Sequence, residues 1–474
     1  MAKQIDADLC IVGAGSGGLS VAAGAAQMGA HCVLVEKGKM GGDCLNTGCV
    51  PSKSLLAAGH AANAVSEAGR FGVKASPPGV DFAAVNAHVH DVIAGIAPHD
   101  SVERFEELGV TVLKAPGRFT GPRELAAGDT LVRARRFVIA TGSSPLVPPI
   151  PGIDRVSYLT NETVFDLKEA PARLIVIGGG PIGLEMAQAH RRLGCEVAVV
   201  EALDILNMDD PELVDVVRRR LVGEGVVLHE GAKVTGVAPQ GAAIRVTLER
   251  QGATTQIEGS HLLVAVGRAA NVEGMGLAEA GVAHTPRGIE VDARLRTTNK
   301  KIFAIGDVAG GYKFTHVAGY HAGIVIRNAL FRLPAKADHS AVPWVTFTAP
   351  ELAHVGLSAA AADAAGMTPT ILRAPFAEID RARTERTEEG LVKAVVGARG
   401  RVLGASIVGA HAGELILPWV LAVQGKLRVK DLASVIAPYP TLSEATKRAA
   451  GGYFTPSLFS RRTRAMVRAL AWLG

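Results

Sequence analysis

Short apolar runs that stop at glycines, each followed by a helix-period segment, organise the N-terminal part of the chain. Leu9-Cys10-Ile11-Val12 reads as a strand, Gly13-x-Gly15-x-x-Gly18 as the turn after it, Leu19 to Met28 as a helix and His31 to Glu36 as the next strand. The same order returns at Leu174-Ile175-Val176-Ile177, followed by Gly178-x-Gly180-x-x-Gly183, a helix through Arg192, and a strand from Glu196 to Glu201. Two more apolar runs end in glycine turns, Phe137-Val138-Ile139-Ala140-Thr141-Gly142 and Lys301-Ile302-Phe303-Ala304-Ile305-Gly306-Asp307, with a helix expected from about Val317. Pro145 to Pro151 reads as a linker. From Val342 the pattern changes to short alternating strands, including Leu391 to Val396 and Val402 to Val408, and then to helices rich in Ala and Leu. That change marks a separate α+β domain.

Composition narrows this picture modestly. A chain of 474 residues has room for three or four domains. Hydrophobic residues make up 48%, aromatic residues only 4%, and there are 55 glycines, which suits Ala/Val/Gly-rich α/β layers better than an aromatic-packed β sandwich. The net charge of +5 is mild, lysines and arginines are dispersed, and no nucleic-acid module is present, so a nucleic-acid partner is not expected. The chain runs from Met1-Ala2-Lys3-Gln4 straight into a strand, leaving no room for a signal peptide. The longest apolar stretch, Val402 to Val423, is interrupted by His411, Glu414 and Pro418. The expected compartment is a reducing cytoplasm, in which a disulfide is more often catalytic than structural.

The two glycine turns carry the first chemistry. Their glycines allow a tight turn, approach of a pyrophosphate to backbone N–H groups and close helix–strand packing, and the helix N-terminus favours phosphate charge. Each second strand ends in a glutamate, Glu36 or Glu201, placed to accept hydrogen bonds from a ribose diol. Three of the five cysteines, Cys10, Cys32 and Cys195, sit in apolar runs as core residues. The other two, Cys44 and Cys49, lie in Gly41-Gly42-Asp43-Cys44-Leu45-Asn46-Thr47-Gly48-Cys49-Val50-Pro51-Ser52-Lys53 and read as a redox-active pair. Residues five apart on a regular helix are roughly 8.6 Å apart, beyond the roughly 7 Å reach of a disulfide. A bridge therefore needs a distorted turn, which Gly48 and Pro51 favour. Two buried thiols, or half of a metal site, are the alternatives; no second cysteine pair or nearby histidine cluster completes such a site, and no metal is expected.

The motifs GGDCLNTGCVPSK, IVGAGSGG, VIATGSSP, VIGGGPIGLE, VAVGRAAN and FAIGDVA, in that family's order, resemble the flavin-dependent pyridine nucleotide–disulfide oxidoreductases, the family of dihydrolipoamide dehydrogenase, glutathione reductase and mercuric reductase. The resemblance runs from about Asp6 to Phe454. It implies two Rossmann-like dinucleotide-binding domains, for FAD and NAD, and a C-terminal α+β dimerisation domain forming a homodimer. The implied boundaries are 1–149 and 268–340 for a discontinuous FAD domain, 150–267 for the NAD domain and 341–474 for the dimerisation domain. FAD contacts are implied at Gly13, Gly15, Gly18, Glu36, Gly42, Gly117, Thr141, Gly142, Gly306, Asp307 and Thr315. Nicotinamide-cofactor contacts are implied at Gly178, Gly180, Gly183, Glu201, Val234 and Gly267. Cys49 is then the flavin-proximal charge-transfer thiolate, Cys44 the interchange thiol that meets substrate, and Lys53 and Glu185 are similar to the family's buried ion pair beside the flavin.

Charge favours NAD(H) over NADP(H): no Arg or Lys follows Glu201 until Arg218, so a 2′-phosphate would meet a carboxylate and no cation. The C-terminal segment departs from the resemblance. Tyr439 stands where dihydrolipoamide dehydrogenase and glutathione reductase carry a histidine, although the glutamate five residues on, Glu444, is present. A phenol is a poor base at neutral pH. Tyrosine there is similar to mercuric reductase, yet the last cysteine is Cys195, so a C-terminal cysteine pair is missing. The expected function is NADH-dependent reduction, through FAD and a Cys44–Cys49 disulfide, of a small disulfide, persulfide or other thiol-reactive electrophile. A dihydrolipoamide dehydrogenase and a flavin-disulfide sensor without turnover are the alternatives.

Lesser features have plainer readings. His88, His90 and His99 suit surface or capping roles, His316 and His321 flank the helix after Asp307, and Arg381, Arg383 and Arg386 form a charged loop. The basic stretch Arg461 to Trp472 reads as a frayed terminal helix, with peripheral contact to an anionic membrane or acidic partner as the sharper alternative.

Overall fold

The computed structural model describes residues 3–472 and divides into two compact units. Among the described residues the first comprises 3–179, 186–202 and 231–338; the second comprises 180–185, 203–230 and 339–472.

The first unit is built on a sheet in the order Val110–Leu113, Cys32–Val35, Lys3–Val12, Thr130–Ile139, Glu124–Ala127, Gly117–Gly121, with Ile302–Ala304 also pairing to Thr130–Ile139. The glycine-bounded apolar runs are its parallel strands, and their register fixes the site. Val12 lies opposite both Val35 and Ile139, and Ile139 lies opposite Ala304. The turns that follow these strands therefore emerge side by side at the carboxyl edge of one sheet, where open α/β sheets bind ligands. One face is covered by the helices Ser16–Gln27 and Thr315–Ala329, whose Leu19, Ala22, Ala322 and Val325 pack with Ile11 and Phe303. The other face buries Phe119 and Phe137, edge to face at 5.2 Å, with Met275 and Leu277. The helix expected from Val317 begins at Thr315, because Phe314 is the last extended residue.

A second parallel sheet in this unit orders Glu196–Val200, Arg173–Ile177 and His261–Val264, with Ile177 opposite both Val200 and Val264. An antiparallel meander of Lys233–Gln240, Ala243–Arg250 and Ala253–Gly259 packs Val237, Val246 and Leu248 against Ile175 and Leu262.

The second unit is a five-stranded antiparallel sheet ordered Pro343–Thr346, Glu351–Gly356, Val402–Gly409, Leu391–Val396, Thr370–Pro375. Its core holds the fully buried Trp419, whose indole donates to Thr446 Oγ1 at 3.2 Å. The helix Pro211–Gly223, capped by Asp210, packs on this sheet, and Lys393 Nζ sits 2.7 Å from Asp210 and 2.8 Å from Glu212. Burial raises the Asp209 carboxyl to about 6, although the Trp344 indole donates to it at 2.8 Å. Among the described residues no helix is long and apolar enough to cross a membrane.

Candidate active site

The two glycine turns have the same local design. Gly13 and Gly178 take positive φ, +105° and +115°, and a Cβ at either would come within 2.4 Å of a carbonyl oxygen, that of Ala140 or Ala265. A Cβ at Gly18 would meet the Gly13 carbonyl oxygen at 1.8 Å. At Gly180, by contrast, a Cβ would point into open space, and at Gly15 it would meet only Gly42 Cα, at 3.9 Å. This is a cradle that brings a ligand against bare backbone at the start of the helices Ser16–Gln27 and Pro181–Arg192. Glu36 accepts from Ala14 N–H and Gly38 N–H, both at 2.6 Å, and Glu201 accepts from Gly179 N–H at 2.7 Å. Each carboxylate is thus anchored beside its turn, at the end of the strand where a ribose diol would lie.

The remaining turns converge on the first of these cradles. Gly142 and Gly306 both adopt positive φ, Thr141 Oγ1 donates to the Asn271 carbonyl at 2.9 Å, and Asp307 accepts from the Ser143 hydroxyl. His321 is buried, and its Nδ1 accepts from Gly306 N–H at 3.2 Å, so this ring supports the Gly306–Asp307 turn. His316 stacks on Phe314 at 5.2 Å. Gly117 fits between Val12 and Val35, where a Cβ would meet side-chain atoms at 3.2 and 3.3 Å. These residues fit a dinucleotide: glycines without Cβ atoms, a carboxylate at the ribose position and a second carboxylate, Asp307, on the same sheet edge.

The cysteines lie on this edge, and the chain between them is broken as a bridge requires. A short helix, Gly42–Asn46, carries Cys44; Thr47 and Gly48 leave the helical conformation; and Cys49 opens the next helix, Cys49–Glu67. A Cβ at Gly42 would stand 2.7 Å from Gly15 Cα, which presses the cysteine segment onto the glycine turn. At Gly48 a Cβ would meet Asp43 Oδ2 at 2.7 Å. Both cysteines are free thiols, with Cys49 exposed and Cys44 half-buried. Their acidities diverge. A hydrogen bond from Cys44, then one from Thr315 and the charge of Lys53, pull Cys49 down to about 6 against its partial desolvation. The same hydrogen bond and burial push Cys44 far up. Thr315 Oγ1, at the start of its helix, lies 3.5 Å from Cys49 Sγ. Burial raises Cys32 and Cys195 to about 11, as suits core thiols.

A polar network missing from the sequence reading ties this segment to the flanking turns. Arg268 places Nη2 3.2 Å from Asp43 Oδ1, donates through Nε to Ser143 Oγ at 2.7 Å and through Nη1 to Asn161 Oδ1 at 3.2 Å. Asn161 in turn donates to Asp43 Oδ1 at 2.9 Å and the Thr47 carbonyl at 3.0 Å. Ser143 and Arg268 belong to the motifs VIATGSSP and VAVGRAAN, but no local signal points to Asn161.

Each of the other candidate residues has its place within its own unit. Lys53 is one turn beyond Cys49, with Nζ 3.4 Å from Ser52 Oγ. Glu185 is buried in the second unit and accepts from Phe347 N–H at 3.0 Å. Val234 lies on the meander opposite Leu248, and Gly267 accepts through its carbonyl from Leu146 N–H at 3.0 Å. Tyr439 is exposed, and its hydroxyl donates to Asp380 Oδ2 at 3.0 Å, a partner the sequence reading did not name. That bond and the Asp380 charge raise the phenol above its ordinary value, while Glu444, which opens the helix Glu444–Gly452, contributes less. Among the described residues, no group of three or more His, Cys, Asp or Glu side chains is arranged to hold a metal.

Two dinucleotide cradles and a cysteine pair of split acidity on the edge of the first define a nucleotide-dependent thiol–disulfide redox protein. Residues 7–322 match the pyridine nucleotide-disulphide oxidoreductase family and residues 342–450 match its dimerisation domain, and the chain belongs to that family. It is a FAD-dependent oxidoreductase using a nicotinamide cofactor, and a homodimer. It is 36% identical to a mercuric reductase of Streptomyces lividans, covering 94% of this chain and 95% of the relative. It is 37% identical to a dihydrolipoyl dehydrogenase of Thermus scotoductus, with 94% and 96% covered. Among solved structures, LpdA from Mycobacterium tuberculosis superposes with a TM-score of 0.86 at 28% identity over 94% of this chain and 99% of that one. The Cu(II) complex of the HOCl-induced flavoprotein disulfide reductase RclA from Escherichia coli gives 0.84 at 27%, with 93% and 98% covered.

Proposed function

We propose that this enzyme takes electrons from NADH and delivers them, through a Cys44–Cys49 disulfide, to a small disulfide, persulfide or other thiol-reactive electrophile. The observation that carries this reading is the placement of the pair: Cys44 lies on the short helix Gly42–Asn46, pressed onto the Gly15 turn, and Cys49 opens the next helix with Thr315 Oγ1 3.5 Å from its Sγ. The Gly13–Gly18 turn, Glu36 and Asp307 would hold FAD, which when bound would supply hydride acceptance from the nicotinamide and two-electron reduction of the disulfide. Lys53 is assigned as the cation beside the flavin, with Glu185 as its partner.

In the reduced pair the dithiol holds two electrons, Cys49 as thiolate and Cys44 as thiol. Cys44 attacks one sulfur of the acceptor, forming a mixed disulfide and expelling one thiolate, and its proton passes to the Cys49 thiolate. The first expelled thiolate takes that proton and leaves as a thiol; Cys49, again a thiolate, attacks the Cys44 sulfur, re-forms the intramolecular disulfide and expels the second half of the acceptor as a thiolate. No histidine is required, because the pair carries its own base. Tyr439 is assigned a positioning role: its proton is directed at Asp380, and its phenol is raised, so it is no base at neutral pH.

A soft metal ion is a second acceptor class, favoured by the tyrosine at 439 and the 36% identity to mercuric reductases. Here only Cys44 and Cys49 would serve as soft ligands, since no cysteine follows Cys195. Turnover of NADH with lipoamide, glutathione disulfide, other small disulfides and Hg(II) separates the readings. A small disulfide is expected to be reduced with kcat/KM rising through pH about 6 and then level, in the native enzyme and in Tyr439→Phe alike. Lipoamide turnover that collapses by about a hundredfold or more in Tyr439→Phe would instead make Tyr439 an acid–base residue of a dihydrolipoyl dehydrogenase. Flavin reduction by NADH without turnover of any acceptor would make the protein a sensor.

A further inference from the structure

Residues beyond the family-matched segment 342–450 end in an amphipathic helix, Arg461–Leu470. It is a formed helix: the Ser460 hydroxyl caps it by accepting from Thr463 N–H at 3.2 Å. Thr463, Met466, Val467 and Leu470 follow the i, i+3, i+4, i+7 spacing of one face, and Arg461, Arg464 and Arg468 occupy the opposite one. The apolar face is uncovered in the single chain. Met466, Val467 and Leu470 are each more than half exposed, Leu458 and Phe459 just before the helix are 58% and 66% exposed, and Trp472 just after it is 92% exposed.

Charge selects the occupant. From Ala445 to Gly474 there are six Lys or Arg residues and no Asp or Glu. That exceeds the net +5 of the whole chain, leaving residues 1–444 slightly negative. Two arginines in the first turn also oppose the helix dipole, so this placement does not serve helix stability. A nucleic acid would neutralise the arginines and leave Met466, Val467 and Leu470 in water. An anionic bilayer surface takes both faces: the side chains of Met466, Val467, Leu470 and Trp472 enter the headgroup–acyl boundary, and the guanidinium groups meet lipid phosphates.

We propose that the helix Arg461–Leu470 docks the enzyme on anionic phospholipid membranes, lying in the plane of the interface. The test uses the FAD-loaded full-length dimer and sedimentation with two vesicle types, phosphatidylcholine alone and phosphatidylcholine with about 30% phosphatidylglycerol. The enzyme is expected to pellet with the second type only and to be released by salt. Its Trp472 emission should shift to the blue on binding. R464A/R468A is expected to weaken partitioning roughly thirtyfold, and Leu470→Asp to abolish it, with NADH turnover unchanged in solution. Retention of the intact enzyme in the supernatant with both vesicle types would overturn the proposal. So would equal binding to both types. Dissociation of the dimer by Leu470→Asp, without vesicle binding by the native enzyme, would assign the face to a second copy of the chain instead.

Discussion

Cys44 and Cys49 are the same residue five positions apart, and the fold makes one an acid near 6 and the other a reluctant one. The difference lies in what each sulfur receives. As a thiolate Cys49 can only accept, with Thr315 Oγ1 3.5 Å from its Sγ, and it feels the charge of Lys53, whereas Cys44 keeps its proton and has the less exposed surface. Alkylation of the reduced enzyme by iodoacetamide, followed by peptide mapping, is expected to modify Cys49 first with a midpoint near pH 6. A Thr315→Val variant removes one stabilising hydrogen bond of about 1 kcal/mol and should slow Cys49 alkylation at pH 5 by about fivefold. An unchanged rate would mean that the thiolate does not depend on Thr315. At this scale the sequence revealed both cysteines, the anchoring glutamates and the core thiols, because each sits in a local pattern. Asn161 and Asp380 were not legible: their partners Asp43 and Tyr439 are 118 and 59 positions away, and only tertiary folding joins them.

At the scale of elements, the strand–turn–helix units were legible to within a few residues, because glycines mark the carboxyl ends of the apolar runs. The register that gathers four turns at one sheet edge was not, since period and propensity do not say which strand lies beside which. That edge depends on backbone contact. Gly18→Ala would drive a methyl group into the Gly13 carbonyl. It is expected to cost about 3–5 kcal/mol and to yield protein with little bound flavin, read from absorbance near 450 nm and the melting temperature. Full flavin content would show that the turn can relax. In the second unit Asp209 supplies a pH signature. Its folded value of about 6 lies above the ordinary carboxyl value of 3.8, so its favourable contribution is complete below the lower value. That contribution is lost as pH rises through about 6. Urea midpoints of the native protein should therefore fall between pH 4 and pH 6 from this source, and Asp209→Asn, which keeps an acceptor for Trp344, should flatten the slope.

For the whole molecule, the family, its flavin and its dimer were legible because the motifs occur in a fixed order over nearly the entire chain. The acceptor was not, because it depends on a few side chains such as Tyr439 that report what is missing more clearly than what binds. The nicotinamide preference belongs at this scale. Arg218, the first basic residue after Glu201, is held by Glu230 at 2.8 Å and by Asp215 at 3.4 Å, so it is already engaged. NADH is accordingly expected to exceed NADPH in kcat/KM by at least about tenfold, the size of one lost ion pair at a phosphate, and equal values would refute the charge argument.

The central claim is that electrons leave through Cys44 with Cys49 behind it. The most direct test is NADH-dependent reduction of a small disulfide by the FAD-loaded native, Cys44→Ser and Cys49→Ser enzymes, with ferricyanide as a parallel acceptor taking electrons from the flavin. The expected result is disulfide turnover reduced by about a thousandfold or more in both variants, while ferricyanide turnover persists. A Cys44→Ser enzyme that still reduces the disulfide at the native rate would contradict the relay.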